Sequence, residues 1–336
     1  MYAVRDVDLH WSPMSSFHTP AVNADNVTIA AFGDMGVDGA QILPLLHKAV
    51  LKKEIQAVFH VGDMAYNLRD KGGRVGDAFM RKIQPIASRI PYQVLPGNHE
   101  RHDNFSHYDG IFSMRDHALQ STGEDRGISN FFYSVNLGPL HVVCVTNDFY
   151  FYHEKYGTAQ LVNQFAWLSR DLETANLPAN RAKRPWILLL SHRPMYASGK
   201  RSEEEERVIT RKGLRGSRYG MEALMRKHRV DLFLSGHLHN YERSFPVFEG
   251  RISRQRGNEY RDPKYRIHVI SGAAGSGETL RKPKPKHRLQ PFSAKRLQVF
   301  SYTRISATRR RLQLKQVAVP DERIVDHLTI TKSAFA

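Results

Sequence analysis

Short apolar runs closed by glycine recur along this chain, with amphipathic stretches between them. Val27 to Phe32 ends at Gly33, Ala57 to Val61 ends at Gly62, and Ile90 to Leu95 closes at Pro96-Gly97. Runs of this length bounded by turn residues predict strands covered on both faces. Ala40 to Lys53, with Ile42, Leu45, Leu46, Ala49 and Val50 at helical spacing, and Val75 to Ser88 predict helices. Strand, helix, strand, helix, strand in succession predicts a parallel sheet with crossover helices. Further on, Phe131 to Val135 and His141 to Thr146 read as a hairpin around Gly138-Pro139, followed by a helix from Ala159 to Glu173. Trp186 to Leu190 and Val230 to Leu234 are two more apolar runs. After residue 265 the period changes: Tyr265 to Ile270, Gln298 to Ile305, Arg311 to Val317 and Ile324 to Ile330 succeed one another as strands without helices, so this part is expected to be mostly antiparallel.

The first residues stand apart. Val7 to Trp11 alternates apolar and polar positions, the period of a half-buried strand, before Ser12-Pro13 and Thr19-Pro20 break the pattern. A lone strand is not stable, so it either docks on the main domain or ends a domain whose remainder is missing.

Composition narrows the classes. The 336 residues are 41% hydrophobic and 25% charged, which excludes a disordered chain. The apolar runs are too short to cross a bilayer as helices. A single cysteine, Cys144, excludes an internal disulfide framework and a cysteine-based zinc cluster, and its apolar neighbours make it a small buried hydrophobe. The net charge of +17 is compatible with a polyanionic partner or a phosphate-bearing substrate, although a solvated basic surface is the commoner explanation. The basic residues lack the aromatic interleaving of single-strand nucleic-acid binders, so no specific nucleic acid is expected. Lys282 to Lys286, basic and broken by prolines, reads as an exposed connection.

The candidate chemistry lies at the end of each apolar run. Gly33-Asp34, Gly62-Asp63-Met64-Ala65-Tyr66, Gly97-Asn98-His99-Glu100, Ser191-His192 and Gly236-His237-Leu238-His239 come in this order. In open α/β sheets ligand sites gather at the carboxyl ends of strands. Two carboxylates, an asparagine and three histidines on one edge have the composition of a metal site, and a bridging carboxylate would hold two cations suited to phosphoryl displacement. Each glycine turn alone is ordinary, and the series is what carries the reading.

This series resembles the signature blocks of the calcineurin-like metallophosphoesterases. In detail it resembles the purple acid phosphatases, marked by Tyr66 three residues after Asp63, and by His192-Arg193-Pro194-Met195-Tyr196, Tyr241-Glu242-Arg243, Gly272-Ala273-Ala274-Gly275 and Gln164 to Leu168. The resemblance runs over residues 10–332 and is closest to the larger animal and plant members. It implies a four-layer α/β/β/α sandwich of two mixed β-sheets flanked by helices for residues 25–336, with residues 1–24 as the last strand of a fibronectin-III-like β-sandwich domain. It implies that Asp34, Tyr66 and His239 bind Fe(III), that Asp63 bridges, and that Asn98, His192 and His237 hold a second divalent ion, Fe, Zn or Mn. Two carboxylates and a phenolate leave such a pair of ions net positive, which favours a phosphate dianion and a metal-bound hydroxide as nucleophile.

The same resemblance gives Asn98 and His99 contact with the phosphate and His99 a part in assisting the leaving group, in an acid phosphatase acting on small phosphate monoesters. A phosphodiesterase or nuclease on the same centre, and a non-catalytic polyanion binder on a retired scaffold, are the alternatives. One departure stands out: Arg201 and Ser202 occupy the stretch where relatives place further histidines, so proton donation to the leaving group is left unassigned. His102 and His107 are nearby in sequence, with nothing to place them in the site. Family members are typically secreted or lysosomal, and Asn26-Val27-Thr28 and Asn104-Phe105-Ser106 are glycosylation acceptor patterns. Residues 1–20 show no secretory signal, which a coding start further upstream would reconcile. Oligomeric state is open.

Overall fold

The structure is a computed structural model that describes residues 1–5, 7–21, 24–114, 130–199, 204–214, 218–276 and 289–333. The expected connection Lys282–Lys286 and the departure at Arg201 and Ser202 lie outside the described residues.

Two seven-stranded sheets form the centre. The first contains β1 (Asn26–Phe32), β2 (Ala57–Val61), β3 (Tyr92–Leu95), β13 (Glu259–Arg261), β16 (Ser301–Thr308), β17 (Arg311–Ala318) and β18 (Ile324–Thr331). Its order is β13-β18-β17-β16-β1-β2-β3. The second contains β4 (Phe132–Leu137), β5 (Leu140–Val145), β6 (Trp186–Leu190), β9 (Leu232–Ser235), β10 (Tyr241–Ser244), β14 (Ile267–Ser271) and β15 (Ser293–Leu297), in the order β15-β10-β14-β9-β6-β5-β4. The pairs β7 (Gly213–Leu214) with β8 (Arg218–Tyr219) and β11 (Val247–Phe248) with β12 (Arg251–Ile252) are two-residue additions outside both.

Both sheets are mixed. β1, β2 and β3 run parallel in one, and β5, β6, β9 and β14 run parallel in the other. The carboxyl-end loops of β1, β2, β3, β6 and β9 carry the candidate site side chains. Of the four strands expected after residue 265, Tyr265 to Ile270 forms β14, parallel to β9, and the last three form an antiparallel meander, β16-β17-β18. The run expected from Gln298 to Ile305 forms β16, shifted to Ser301–Thr308, and an unexpected strand before it, β15, pairs with β10 in the second sheet before the chain crosses to the first. β10 carries Glu242, Arg243 and Ser244 and gives no apolar signal, yet it is buried because Arg243 pairs with Asp326 at 2.7 Å and Glu242 accepts from Ser198.

Side-chain alternation builds three apolar layers. Ile29 and Ala31 of β1 and Leu188 and Leu190 of β6 meet between the sheets. Ala30 and Phe32 face outward onto helices Leu43–Leu51 and Arg74–Ala87, through Leu46, Ala49, Val50, Phe79, Ile83 and Ile86. Ile187 and Leu189 face the other way, onto Leu161, Trp167, Leu168 and Leu172 of helix Ala159–Ala175. Helix, sheet, sheet, helix is therefore the architecture. Cys144 is free and buried in the layer between the sheets.

The strand expected at Val7 to Trp11 is not formed. Val7 and Asp8 make a turn, single bridges join Tyr2 to Ser15 and Arg5 to Trp11, and Val7, Leu9 and Trp11 are exposed. Among the described residues no sheet pairs with it, so alternation has nothing to bury. The arm is tied down instead by polar contacts, His18 N–H to Arg89 O at 2.7 Å and the Tyr2 hydroxyl to Ser88 O at 3.1 Å.

Candidate metal centre

All seven expected ligand positions come together on loops leaving the carboxyl ends of β1, β2, β3, β6 and β9. Asp34 follows β1, Asp63 and Tyr66 follow β2, Asn98 follows β3, His192 follows β6, and His237 and His239 follow β9. Asp34, Asp63, Tyr66 and His237 sit at positive φ, between 50° and 69°. Non-glycine residues rarely adopt this conformation, and it concentrates where surrounding structure enforces it for function. Two glycines make the convergence possible: a Cβ on Gly62 (φ +86°) would lie 2.5 Å from His192 Nδ1, and one on Gly236 would lie 2.5 Å from Asp34 Oδ2.

The side chains form two adjacent groups. In the first, the Tyr66 hydroxyl lies 2.6 Å from His239 Nε2 and 3.5 Å from Asp34 Oδ1, and His239 Nε2 lies 3.5 Å from Asp34 Oδ1. Ser276 Oγ holds the far side of that ring, 3.0 Å from His239 Nδ1. In the second, donor atoms of Asp63, His192 and His237 all lie within 4.8 Å of one another. His192 Nε2 is 3.3 Å from Asp63 Oδ2 and 3.1 Å from Asn98 Oδ1, while its Nδ1 donates to Val61 O at 2.8 Å. That back contact turns Nε2 inward toward the other donors, the orientation of metal-ligating histidines. The groups are joined: Asp34 N–H donates to Gly62 O, and Asp34 Oδ2 accepts from His237 N–H at 2.7 Å.

Electrostatics favour cations here. Asp34 and Asp63 are buried. Burial pushes the Asp34 carboxyl up, which is the cost a cation offsets. Burial also works to raise Asp63, but the imidazoles of His192, His99 and His237 outweigh it and hold the carboxyl well below its usual range. Burial opposes charge on His192, yet the Asp63 carboxylate prevails and pushes it up to about 10. His237 goes the other way, held well below its ordinary value by burial and by the Arg193 guanidinium. Among the described residues its Nδ1 is buried with no hydrogen-bond partner. Oxygen and imidazole donors in two groups, buried carboxylates and an orphaned imidazole nitrogen fit a pair of metal ions.

His99 stands at the rim. Its ring lies 4.6 Å from that of Tyr66, Nδ1 is 3.1 Å from Asn67 Oδ1, and Nε2 is 3.9 Å from Asp63 Oδ2. A cavity of about 620 Å³, lined by Tyr66, Asn67, His99, Asp38, Lys71 and Arg74 among others, opens beside it. His107 is drawn to Asp103 at 4.0 Å, and His102 lies on the turn Asn98–Phe105.

Three residues that sequence reasoning passes over support the site. Glu100, buried, accepts from the backbone N–H groups of Asp63, Gly97 and Met64 at 2.8, 2.9 and 3.0 Å, and so staples the loop after β2 to the loop after β3. Burial, and then the neighbouring Asp63, push its carboxyl up to about 7. Asn147 and Asp148 follow β5 as another carboxyl-end pair, both fully buried. Asn147 grips the backbone of Arg193 through two hydrogen bonds of 2.9 and 2.7 Å. The signal for this pair is the same strand-end position that marks the candidate ligands.

Comparisons with known proteins bear on this site. Residues 27–241 match the calcineurin-like phosphoesterase family and residues 266–327 match the iron/zinc purple acid phosphatase-like protein C family. Human acid phosphatase type 7 is 38% identical over 333 residues, 97% of this chain and 69% of that protein. The mouse protein of the same name is 37% identical over 335 residues, 96% of this chain and 68% of its own length. In three dimensions the chain superposes on purple acid phosphatase PPD1 from yellow lupin seeds with a TM-score of 0.76 and 22% identity. That match takes in 98% of this chain and 58% of the lupin chain.

Proposed function

The chain belongs to the calcineurin-like phosphoesterases, in their purple acid phosphatase branch, and from that premise we propose that it is an acid phosphatase hydrolysing small phosphate monoesters at a binuclear Fe(III)–M(II) centre. The observation that carries this reading is the pair of adjoining donor groups, Asp34–Tyr66–His239 and Asp63–Asn98–His192–His237. The first, with its phenol and imidazole, suits Fe(III); the second, with a carboxamide and two imidazoles, suits Fe, Zn or Mn in the divalent state. When bound, the ions neutralise the phosphoryl oxygens and lower the pKa of a water molecule.

The remaining work belongs to side chains. Asp63, in the second group beside His192, is the carboxylate to which the resemblance gives the bridging role. Asn98, its carboxamide beside His192, would contact the phosphate as the resemblance implies. His99, steadied by Asn67 and Tyr66, faces the cavity that would receive the ester's leaving group, and its Nε2 can donate a hydrogen bond or a proton there. A cavity of about 620 Å³ suits a small ester.

Two measurements test the reading. Iron-loaded protein should show a tyrosinate-to-iron band in the visible that Tyr66→Phe abolishes; a colourless iron-loaded wild type refutes the Fe(III)–Tyr66 assignment. Hydrolysis of p-nitrophenyl phosphate should exceed that of its bis-ester, and the reverse order makes the centre a phosphodiesterase. His99→Ala should lower kcat on the monoester by about 10²- to 10⁴-fold.

A further inference from the structure

The edge of the molecule opposite the candidate metal centre gathers much of its excess charge. β6, β9 and β14 run parallel, so their amino ends lie together, away from the ligand loops. Residues 181–184, 226–231, 261–266, 309–311 and Lys332 meet there and hold thirteen lysines and arginines against two aspartates. Side-chain and backbone contacts join these segments. Arg181 Nη2 donates to Arg229 O and Arg309 Nη2 to Ala182 O, each at 2.7 Å. Lys332 N–H donates to Arg310 O at 3.2 Å, Lys332 Nζ lies 2.7 Å from Asp231 Oδ1, and Asp262 N–H donates to Thr331 O at 2.9 Å.

The two carboxylates are already engaged. Asp231, buried, accepts from Ile187 N–H at 2.9 Å and lies 3.6 Å from Arg181 Nη2. Asp262 accepts from the Ser333 backbone N–H at 3.1 Å and from the Ser333 hydroxyl. Glu173, which faces His228, adds one carboxylate at the rim. Asp231 thus stands among three largely buried cations, Arg181, Arg266 and Lys332. Burial first, and then the neighbouring cations, push all three below their ordinary values in spite of Asp231. Arg181 Nη1 and Arg266 Nε are buried with no hydrogen-bond partner among the described residues. The exposed Lys183, Lys227, Arg229 and Arg310 are therefore not neutralised from beneath, and their field reaches solvent.

We propose that this edge is a docking surface for a linear sulfated polysaccharide, separate from the metal centre. Nine of the thirteen cations are arginines, whose planar forks suit the repeated oxyanions of such a chain and keep their charge at every working pH. Nucleic acid bases and lipid tails find less to bind. None of these segments exposes a large apolar side chain to enter a bilayer. Tyr265, their only tyrosine, stacks on Phe248 and lies under the Arg226 guanidinium instead of facing outward to a base.

The test measures calorimetric affinity for heparin over a salt series, with metal content and thermal midpoint as checks, in metal-loaded wild type and two triple variants of equal charge change. Lys227→Gln with Arg229→Gln and Arg310→Gln removes three exposed cations of this edge. Arg81→Gln with Lys82→Gln and Lys315→Gln removes three exposed cations from helix Arg74–Ala87 and from β17. Wild type should bind heparin with an affinity that falls as salt rises. The first variant should bind about 5- to 100-fold more weakly, with a shallower salt slope, and the second within about twofold of wild type. Equal losses in the two variants trace binding to net charge alone and overturn the proposal, as does a wild type that does not bind heparin. Should the first variant lose stability, Arg310→Gln alone decides: binding weaker by at least about twofold upholds the proposal, and unchanged binding overturns it. Duplex DNA or phosphatidylserine vesicles bound as tightly as heparin by wild type also overturn it, because the surface then does not select a sulfated chain.

Discussion

At the scale of single residues, five of the seven candidate ligands are legible because each comes after an apolar strand and sits beside glycine or serine. Asp34, Asp63, Asn98, His192 and His237 are all of this kind. Arg193 and Glu100 are not, because a charged residue beside a run of candidate ligands reads as a solvated side chain until its partner is known. The partners are distant: Arg193 meets a carboxylate 45 positions earlier in the chain, and Glu100 reaches back to the loop after β2. Glu100 makes its own prediction. Glutamine there turns an NH₂ group toward backbone donors, so at least one buried N–H loses its acceptor. Glu100→Gln should destabilise the protein by about 1–3 kcal/mol, read as a lower midpoint in thermal denaturation. A midpoint equal to wild type contradicts the staple role.

At the scale of elements, periodicity locates most of the strands and helices within a few residues, because strands covered on both faces are almost uninterrupted in apolar residues. Trp186–Leu190 and Ala57–Val61 have the expected bounds. It fails in two directions. β10 gives no signal because its burial depends on an ion pair between strands far apart in sequence, Arg243 with Asp326. Val7 to Trp11 reads as a strand because alternation is a local signal, whereas a strand needs a neighbour. The contrast is measurable. Leu188→Ala, in the layer between the sheets, should cost about 2–5 kcal/mol, while Trp11→Ala in the exposed arm should change stability by less than about 0.5 kcal/mol. Urea titrations of both variants check the pair, and equal losses contradict this assignment of the core.

At the scale of the whole molecule, the two sheets bring together loops from residues 34 to 239, which no local pattern reports. The resemblance supplies that convergence, and the structure supplies its distances. The net charge of +17 describes the surface more than the site, where buried carboxylates dominate. One whole-molecule property bears on work in acid. His268, buried against Tyr196 and Phe233, is pushed down to about 3 by burial and nearby arginines. Its folded pKa is depressed, so the unfolded chain takes up the proton first as pH falls below about 6.5. The stability His268 contributes is full above that pH and is lost on descent toward 3, by about 2 kcal/mol between pH 6.5 and 5. His268→Leu should therefore flatten the fall of Tm between pH 7 and 5, and an unchanged slope contradicts the assignment.

The central claim is that Asp34, Tyr66 and His239, with Asp63, Asn98, His192 and His237, hold two ions that share Asp63. The most direct measurement is the metal-to-protein ratio of purified wild type and Asp63→Asn after loading with iron and zinc and removal of excess metal. Two ions per chain in wild type, with loss from both groups in Asp63→Asn, is the expected result. A ratio of one or less in wild type, or an Asp63→Asn variant that still holds two, contradicts it.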